Sequence, residues 1–153
     1  MDEQLLKMNG LSVEILNALS FESHLGISLK KNLHYFDKDL LIAELMTMTD
    51  WLDEQEVLSD IALDYRVKSL DAILLKYDRY YPNHQTRKVF NDILGFRAFC
   101  DSYDQALKEE ASGFRIADMS NGKSLDDGYR GVHVYYQKSG KHYPIEIQFN
   151  TLF

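Results

Sequence analysis

The stretch from Gly128 to Asn150 constrains the fold more than any other. Tyr129 to Gln137 and His142 to Asn150 are dense in β-branched and aromatic residues. Between them Lys138-Ser139-Gly140-Lys141 makes a short turn with a glycine, so the pattern predicts a β-hairpin. With Ser139-Gly140 as a two-residue loop, Lys138 lies opposite Lys141, Val132 faces Ile147 and Val134 faces Ile145. On the other side His133 faces Glu146 and Gly131 faces Gln148, with Tyr129 near the far end. Alternation sorts the hairpin into an apolar face and a face carrying Tyr129, His133, Glu146 and Gln148. A slip of two residues preserves that sorting, so the faces are better determined than the pairs. A solvated sheet face usually carries Lys, Thr and Ser. Tyr, His, Glu and Gln make a better binding floor, and both readings stay open on this stretch alone.

Composition limits the classes of protein this can be. A chain of 153 residues with 45% hydrophobic content is expected to form one globular domain with a proper core. The net charge of −7 argues against a protein that tracks nucleic acid by bulk charge, although a local basic groove survives such a balance. The single cysteine, Cys100, excludes an internal disulfide and fits a reducing compartment. It lies in an apolar run, which points to packing. No run of about 18 apolar residues and no charged-then-apolar leader occurs, so a soluble, cytoplasmic protein is expected, with no membrane partner.

Along the chain, Leu5, Met8, Leu11, Ile15, Leu16 and Leu19 recur at steps of three or four. They predict a helix over residues 2–22, weakened in the middle by Gly10. A second helix is expected from Asp39 to Glu56, capped by Asp37 or Asp39, with Leu41, Leu45, Met48 and Leu52 as its stripe and Ile42 and Trp51 widening it. Residues 1–58 hold no constellation that suggests chemistry and are expected to form helical cover over a sheet core in residues 59–153.

Ile61, Leu63, Tyr65 and Val67 alternate with Ala62, Asp64, Arg66 and Lys68, predicting a strand with one buried face. Ser69 then caps a helix over residues 70–80 that carries Lys76. Cations beside a helix start suit an anion, though paired surface cations are the commoner outcome. Asp92 to Cys100 is largely apolar on both faces, as in a central strand, with Asp92 at its rim. A short helix is expected from Tyr103 to Glu110, a short strand from Phe114 to Ala117, and a polar loop from Asp118 to Asp127. Two carboxylates on separate strands, Asp92 and Glu146, together with cations (Arg66, Lys68, Lys76, and further candidates Arg87, Lys88 and Arg97) and the ring of Tyr129 suit a nucleotide and a metal. The histidines show no zinc pattern, and neither a Walker A loop nor a dinucleotide fingerprint occurs.

Asp64-Tyr65-Arg66-Val67-Lys68-Ser69 with Ile73 and Lys76, Asp92-Ile93-Leu94-Gly95-Phe96-Arg97, Gly128-Tyr129-Arg130-Gly131-Val132-His133, and Ile145-Glu146-Ile147-Gln148 with Thr151 resemble, in order and spacing, the RelA/SpoT synthetase domain. The resemblance covers Ile61 to the C-terminus. It implies an α+β fold, a mixed β-sheet flanked by helices of the nucleotidyltransferase type. It also implies Mg²⁺-dependent transfer of pyrophosphate from ATP to the 3′-hydroxyl of GTP or GDP, giving (p)ppGpp and AMP. On that basis Arg66 and Lys68 would hold the ATP phosphates with Lys76 in support, and Asp92 would bind Mg²⁺. Tyr129 would stack on the acceptor guanine, and His133 would contact its phosphates or sugar. Glu146 would serve the metal or take the proton of the attacking hydroxyl, and Gln148 would line the same floor. Both carboxylates are expected at polar rims, so that Asp92→Ala and Glu146→Ala remove turnover and spare the fold.

Three departures stand out. Leu125-Asp126-Asp127-Gly128-Tyr129 replaces the family's Lys-x-Asn-Gly-Tyr, Asn150 replaces an arginine, and the chain stops where the family continues into helices. No His-Asp dipeptide of a hydrolase domain is present, so the small synthetases, often homo-oligomers, are the nearest comparison. The departures keep two other readings open: a nucleotide-binding or regulatory module without turnover, and a toxin-like relative that pyrophosphorylates tRNA.

Overall fold

The computed structural model describes residues 3–107, 113–121 and 130–151. Tyr129 and most of the expected polar loop before it lie outside the described residues. The N-terminal helical signal resolves into two short helices, α1 (Glu3–Met8) and α2 (Val13–Ala18). Gly10 adopts φ +76° between them, a left-handed conformation that no helix interior contains. The expected single stripe is therefore corrected: Met8 is 61% exposed while Leu6 is fully buried. Ser12 caps α2 by accepting from the Ile15 N–H at 3.1 Å. Asn9 ends α1 and also holds the sheet. Its amide donates to the Phe99 carbonyl at 2.9 Å, and its side-chain oxygen accepts from the Phe99 N–H at 2.9 Å.

The second helix keeps the predicted stripe and cap but ends at Asp53, three residues short of the expected Glu56, which opens the next helical turn. After a short turn at Leu33–Tyr35, α3 spans Lys38–Asp53 with Asp37 accepting from the Leu40 N–H at 3.0 Å. Leu41, Leu45, Met48 and Leu52 are fully buried. A further turn, α4 (Glu56–Asp60), leads into β1 (Asp64–Val67). The strand is shorter than expected and its inner face is weak, with Tyr65 45% exposed, because β1 lies at the edge of the sheet. Then follow α5 (Leu70–Tyr80), capped by Ser69, α6 (Thr86–Val89), β2 (Leu94–Phe99), α7 (Tyr103–Leu107), β3 (Phe114–Met119), β4 (Gly131–Tyr136) and β5 (Ile145–Asn150).

The five strands form one mixed sheet in the order β1-β2-β5-β4-β3. β2 and β5 are parallel, and the other pairs are antiparallel. The fold is α+β, with helices flanking the sheet. β2 is an interior strand, yet it is buried on one side only: Leu94, Phe96 and Ala98 are buried while Arg97 and Phe99 on the other side are exposed. Leu94, Phe96, Val132, Val134, Ile145, Ile147 and Phe149 join the α3 stripe in one hydrophobic core that also takes in Leu5 and Leu16. Cys100 is buried, and its thiol pKa is raised by that burial and by Asp101, in keeping with a packing role.

The hairpin forms with the expected faces and a corrected register. Val132 pairs with Phe149, His133 with Gln148, Val134 with Ile147 and Tyr135 with Glu146, a slip of two from the predicted pairs. The turn closes one residue later, where the His142 N–H donates to the Ser139 carbonyl at 3.1 Å, so Gly140-Lys141 is the loop. The N-terminal region sets this choice. The Gly140 carbonyl accepts from the Leu29 N–H at 2.8 Å, and a Cβ on Gly140 would stand 3.3 Å from Ser28 Oγ. Glu44 anchors the same corner from α3. Its carboxylate accepts from Ser23 Oγ and Tyr143 Oη, each at 2.7 Å, and from the His24 N–H at 2.7 Å.

Candidate functional site

Strand register builds a floor on the sheet face opposite the core. One row across the strands reads Arg66, Gly95, Glu146, Tyr135, Arg115, and the next reads Asp64, Arg97, Gln148, His133, Ala117. Side chains two apart on a strand share a face, so both rows point the same way. Gly95 keeps the centre low: a Cβ there would lie 3.5 Å from Glu146 Oε1.

Glu146 sits deep in this floor, 6% exposed, rather than at a rim. Tyr135 Oη donates to its Oε2 at 3.0 Å, Gln148 Nε2 donates to its Oε1 at 2.8 Å, and His133 Nδ1 lies 3.5 Å from Oε2. Burial, followed by the charge and hydrogen bond of Glu146, pushes the Tyr135 phenol far above its usual range, so it stays a donor to the carboxylate. The Arg115 guanidinium lies 4.7 Å from the centre of the Tyr135 ring. Tyr135 and Arg115 thus join the site in addition to the residues that the sequence motifs point to. For Tyr135 the signal was present, because alternation places it on the same face as His133.

Asp92 stands just before β2 and is clamped by two cations. Lys68 Nζ donates to Oδ2 at 2.8 Å and Lys76 Nζ to Oδ1 at 3.2 Å. The Lys68 N–H continues the β1–β2 ladder onto the Ile93 carbonyl at 2.8 Å, which carries its side chain to Asp92. Burial pushes the Asp92 pKa up, but the Lys68 hydrogen bond and the Lys76 charge outweigh it and hold the carboxyl below its usual range. A depressed folded-state pKa means the clamp's stabilisation is present above the ordinary carboxylate pKa of about 3.9 and is lost as pH falls through the lower folded value. Asp92→Asn is therefore expected to be less stable than the parent near neutral pH, with the gap closing on acidification. Chemical denaturation at a series of pH values checks this, and a pH-independent gap contradicts it.

Arg66, Lys76, Asp92, His133, Glu146 and Gln148 together line one cleft of about 570 Å³, which Lys88, His84 and Asn91 also border. A smaller cleft of about 230 Å³ on the β1 side shares Arg66, Glu146 and Gln148 and adds Arg97. The structure thus brings together every site residue expected from the sequence that it describes, with Lys68 reaching the cleft through Asp92. Arg87 is the exception among the further candidate cations and faces a different cavity. Among the described residues no group of three or more His, Cys, Asp or Glu is placed to hold a metal, and no helix is long and apolar enough to cross a membrane. Two carboxylates in one cleft nevertheless match the chemistry of Mg²⁺, which takes few protein oxygens and completes its shell with phosphates and water.

No protein-family model matches the chain, and a search of curated proteins finds no match. Solved structures do resemble it. The small alarmone synthetase 1 from Bacillus subtilis bound to its product pppGpp is 26% identical, with 74% of this chain and 65% of that chain covered and a TM-score of 0.40. A second structure of the small alarmone synthetase 1 from Bacillus subtilis is 27% identical over 75% of this chain and 70% of that one, with a TM-score of 0.40. The smu.1046c protein from Streptococcus mutans UA159 is 23% identical over 73% and 66% of the two chains, with a TM-score of 0.41. The chain spans 65% of the length of the first of these relatives. At such TM-scores the likeness carries none of the functional reading, which rests on the side chains described above.

Proposed function

We propose that this chain binds ATP and a guanosine nucleotide on its sheet face and transfers pyrophosphate from ATP to the 3′-hydroxyl of GTP or GDP. The observation that carries this reading is the convergence of four separated sequence blocks on one cleft, supplying Arg66, Lys76, Asp92, His133, Glu146 and Gln148. Arg66, Lys68 and Lys76 neutralise the phosphates of ATP, and Lys68 and Lys76 exchange their hold on Asp92 for phosphate oxygens. Asp92 and Glu146 are the residues that would hold Mg²⁺, which when bound spreads the negative charge of the transferring group. Gln148 and His133 orient the acceptor, and Glu146 takes the proton of its 3′-hydroxyl. The bond from that oxygen to the β-phosphorus forms as the bond from the β-phosphorus to the α–β bridging oxygen breaks, and AMP leaves. Positioning of the hydroxyl in line with the β-phosphorus adds to this charge stabilisation. Tyr129, which lies outside the described residues, stacks on the guanine in this scheme.

One observation favours a second reading, a nucleotide-binding module without turnover. Both oxygens of Asp92 and both of Glu146 already accept hydrogen bonds from side chains. AMP release measured with ATP, Mg²⁺ and GTP, GDP or no acceptor separates the two. Release that requires a guanosine acceptor supports transfer. Tight binding of an ATP analogue with no AMP from any mixture assigns the chain to the second reading.

A further inference from the structure

Where the hairpin turn meets the start of β3, a separate cavity of about 410 Å³ carries Lys30, Arg87, Arg115 and Lys138 on its walls and, among the described residues, no carboxylate. The chain has 24 acidic and 17 basic residues, so four bases without an acid run against its composition. Their partners are neutral. Arg87 Nε donates to Gln85 Oε1 at 3.0 Å and its Nη1 to Gln137 Oε1 at 3.5 Å, while Arg115 lies over the Tyr135 ring. Among the described residues no carboxylate forms an ion pair with any of the four. Like charges gathered around a concavity focus field and draw a counter-ion. Arginine adds a fork that matches phosphate oxygens.

We propose that this cavity binds a small ligand bearing a di- or triphosphate, at a site distinct from the cleft over Glu146. Four cations balance several phosphate charges. Water occupies about 30 Å³ per molecule, so the space exceeds what one inorganic phosphate fills. A long nucleic acid is disfavoured, because the net charge of −7 opposes an extended polyanion beyond the cavity. Tyr135 borders both sites, with its ring beneath Arg115 and its hydroxyl on Glu146.

The test is titration of the full chain with inorganic tripolyphosphate, followed by backbone amide shifts. The expected result is saturable shifts at Gly113 and at Lys138, Ser139 and Gly140. In the Lys30→Ala/Lys138→Ala double variant the apparent affinity at these amides falls tenfold or more. Any shifts at Gly95 and Gln148 on the sheet face keep their own affinity. Lys30 and Lys138 are exposed, so their truncation spares the fold. Lys141→Ala, equally exposed but outside the cavity, retains binding. Shifts confined to the sheet face, no saturable shifts at the turn, or turn binding unaffected by the double variant would each overturn the proposal. None of these outcomes depends on the transfer reaction.

Discussion

Glu146→Gln is expected to lower turnover by about a thousandfold, in the range typical of losing a positioned general base, while the protein stays folded. Glutamine keeps the volume of glutamate and an oxygen to accept from Tyr135, and gives up the negative charge that draws the proton of the 3′-hydroxyl. Glu146→Ala is a poorer test than the sequence indicated. The carboxylate is buried and satisfies both the Tyr135 hydroxyl and the Gln148 amide, so truncation strands two donors at about 1–3 kcal/mol each. The same reasoning holds at Asp92, where alanine leaves Lys68 and Lys76 facing each other without their shared anion. Rates of AMP release taken with thermal melts decide the matter. A Glu146→Gln protein that melts with the parent and turns over within a few-fold of it removes Glu146 from the chemistry.

The largest stability effect is expected away from the floor, at Glu44. Glu44→Ala should cost about 3 kcal/mol, since three donors lose a charged acceptor in the interior. For a chain of this size that is a fall in Tm of roughly 10 °C. Tyr143→Phe, which removes one of the three donors and no packing volume, should cost about 1–2 kcal/mol. The two changes share a contact, so the double variant is expected to lose less than their sum. Denaturation of the parent, both single variants and the double variant reads this directly. A Glu44→Ala protein as stable as its parent would show that the carboxylate does not hold the hairpin to α3.

What could be read in the sequence was local. The Ser69 cap and the limits of α5, the Asp37 cap and the buried stripe of α3, and the two faces of the hairpin all follow from residues a few positions apart. Contacts between distant segments were not legible. The register of β4 on β5 depends on Gly140 meeting Ser28 and Leu29, and the Glu44–Tyr143 bond joins residues 99 apart. Lys68 and Asp92 were each singled out for a ligand, yet their closeness to one another appears only when β1 pairs with β2. The rim placement of Glu146 failed for a related reason: β2 and β4 flank β5 on both sides, which puts any residue of β5 at the middle of the sheet. Tyr135 differs from these contacts, since alternation along β4 alone places it on the face of His133.

Pyrophosphate transfer is tested by following label from the γ-position of ATP in a reaction with Mg²⁺ and GDP or GTP. Pyrophosphate transfer yields a guanosine product that carries the label at its 3′ end and has gained two phosphates, formed in equal amount with AMP. Label released as inorganic phosphate, or a labelled product that has gained a single phosphate alongside ADP, would contradict it.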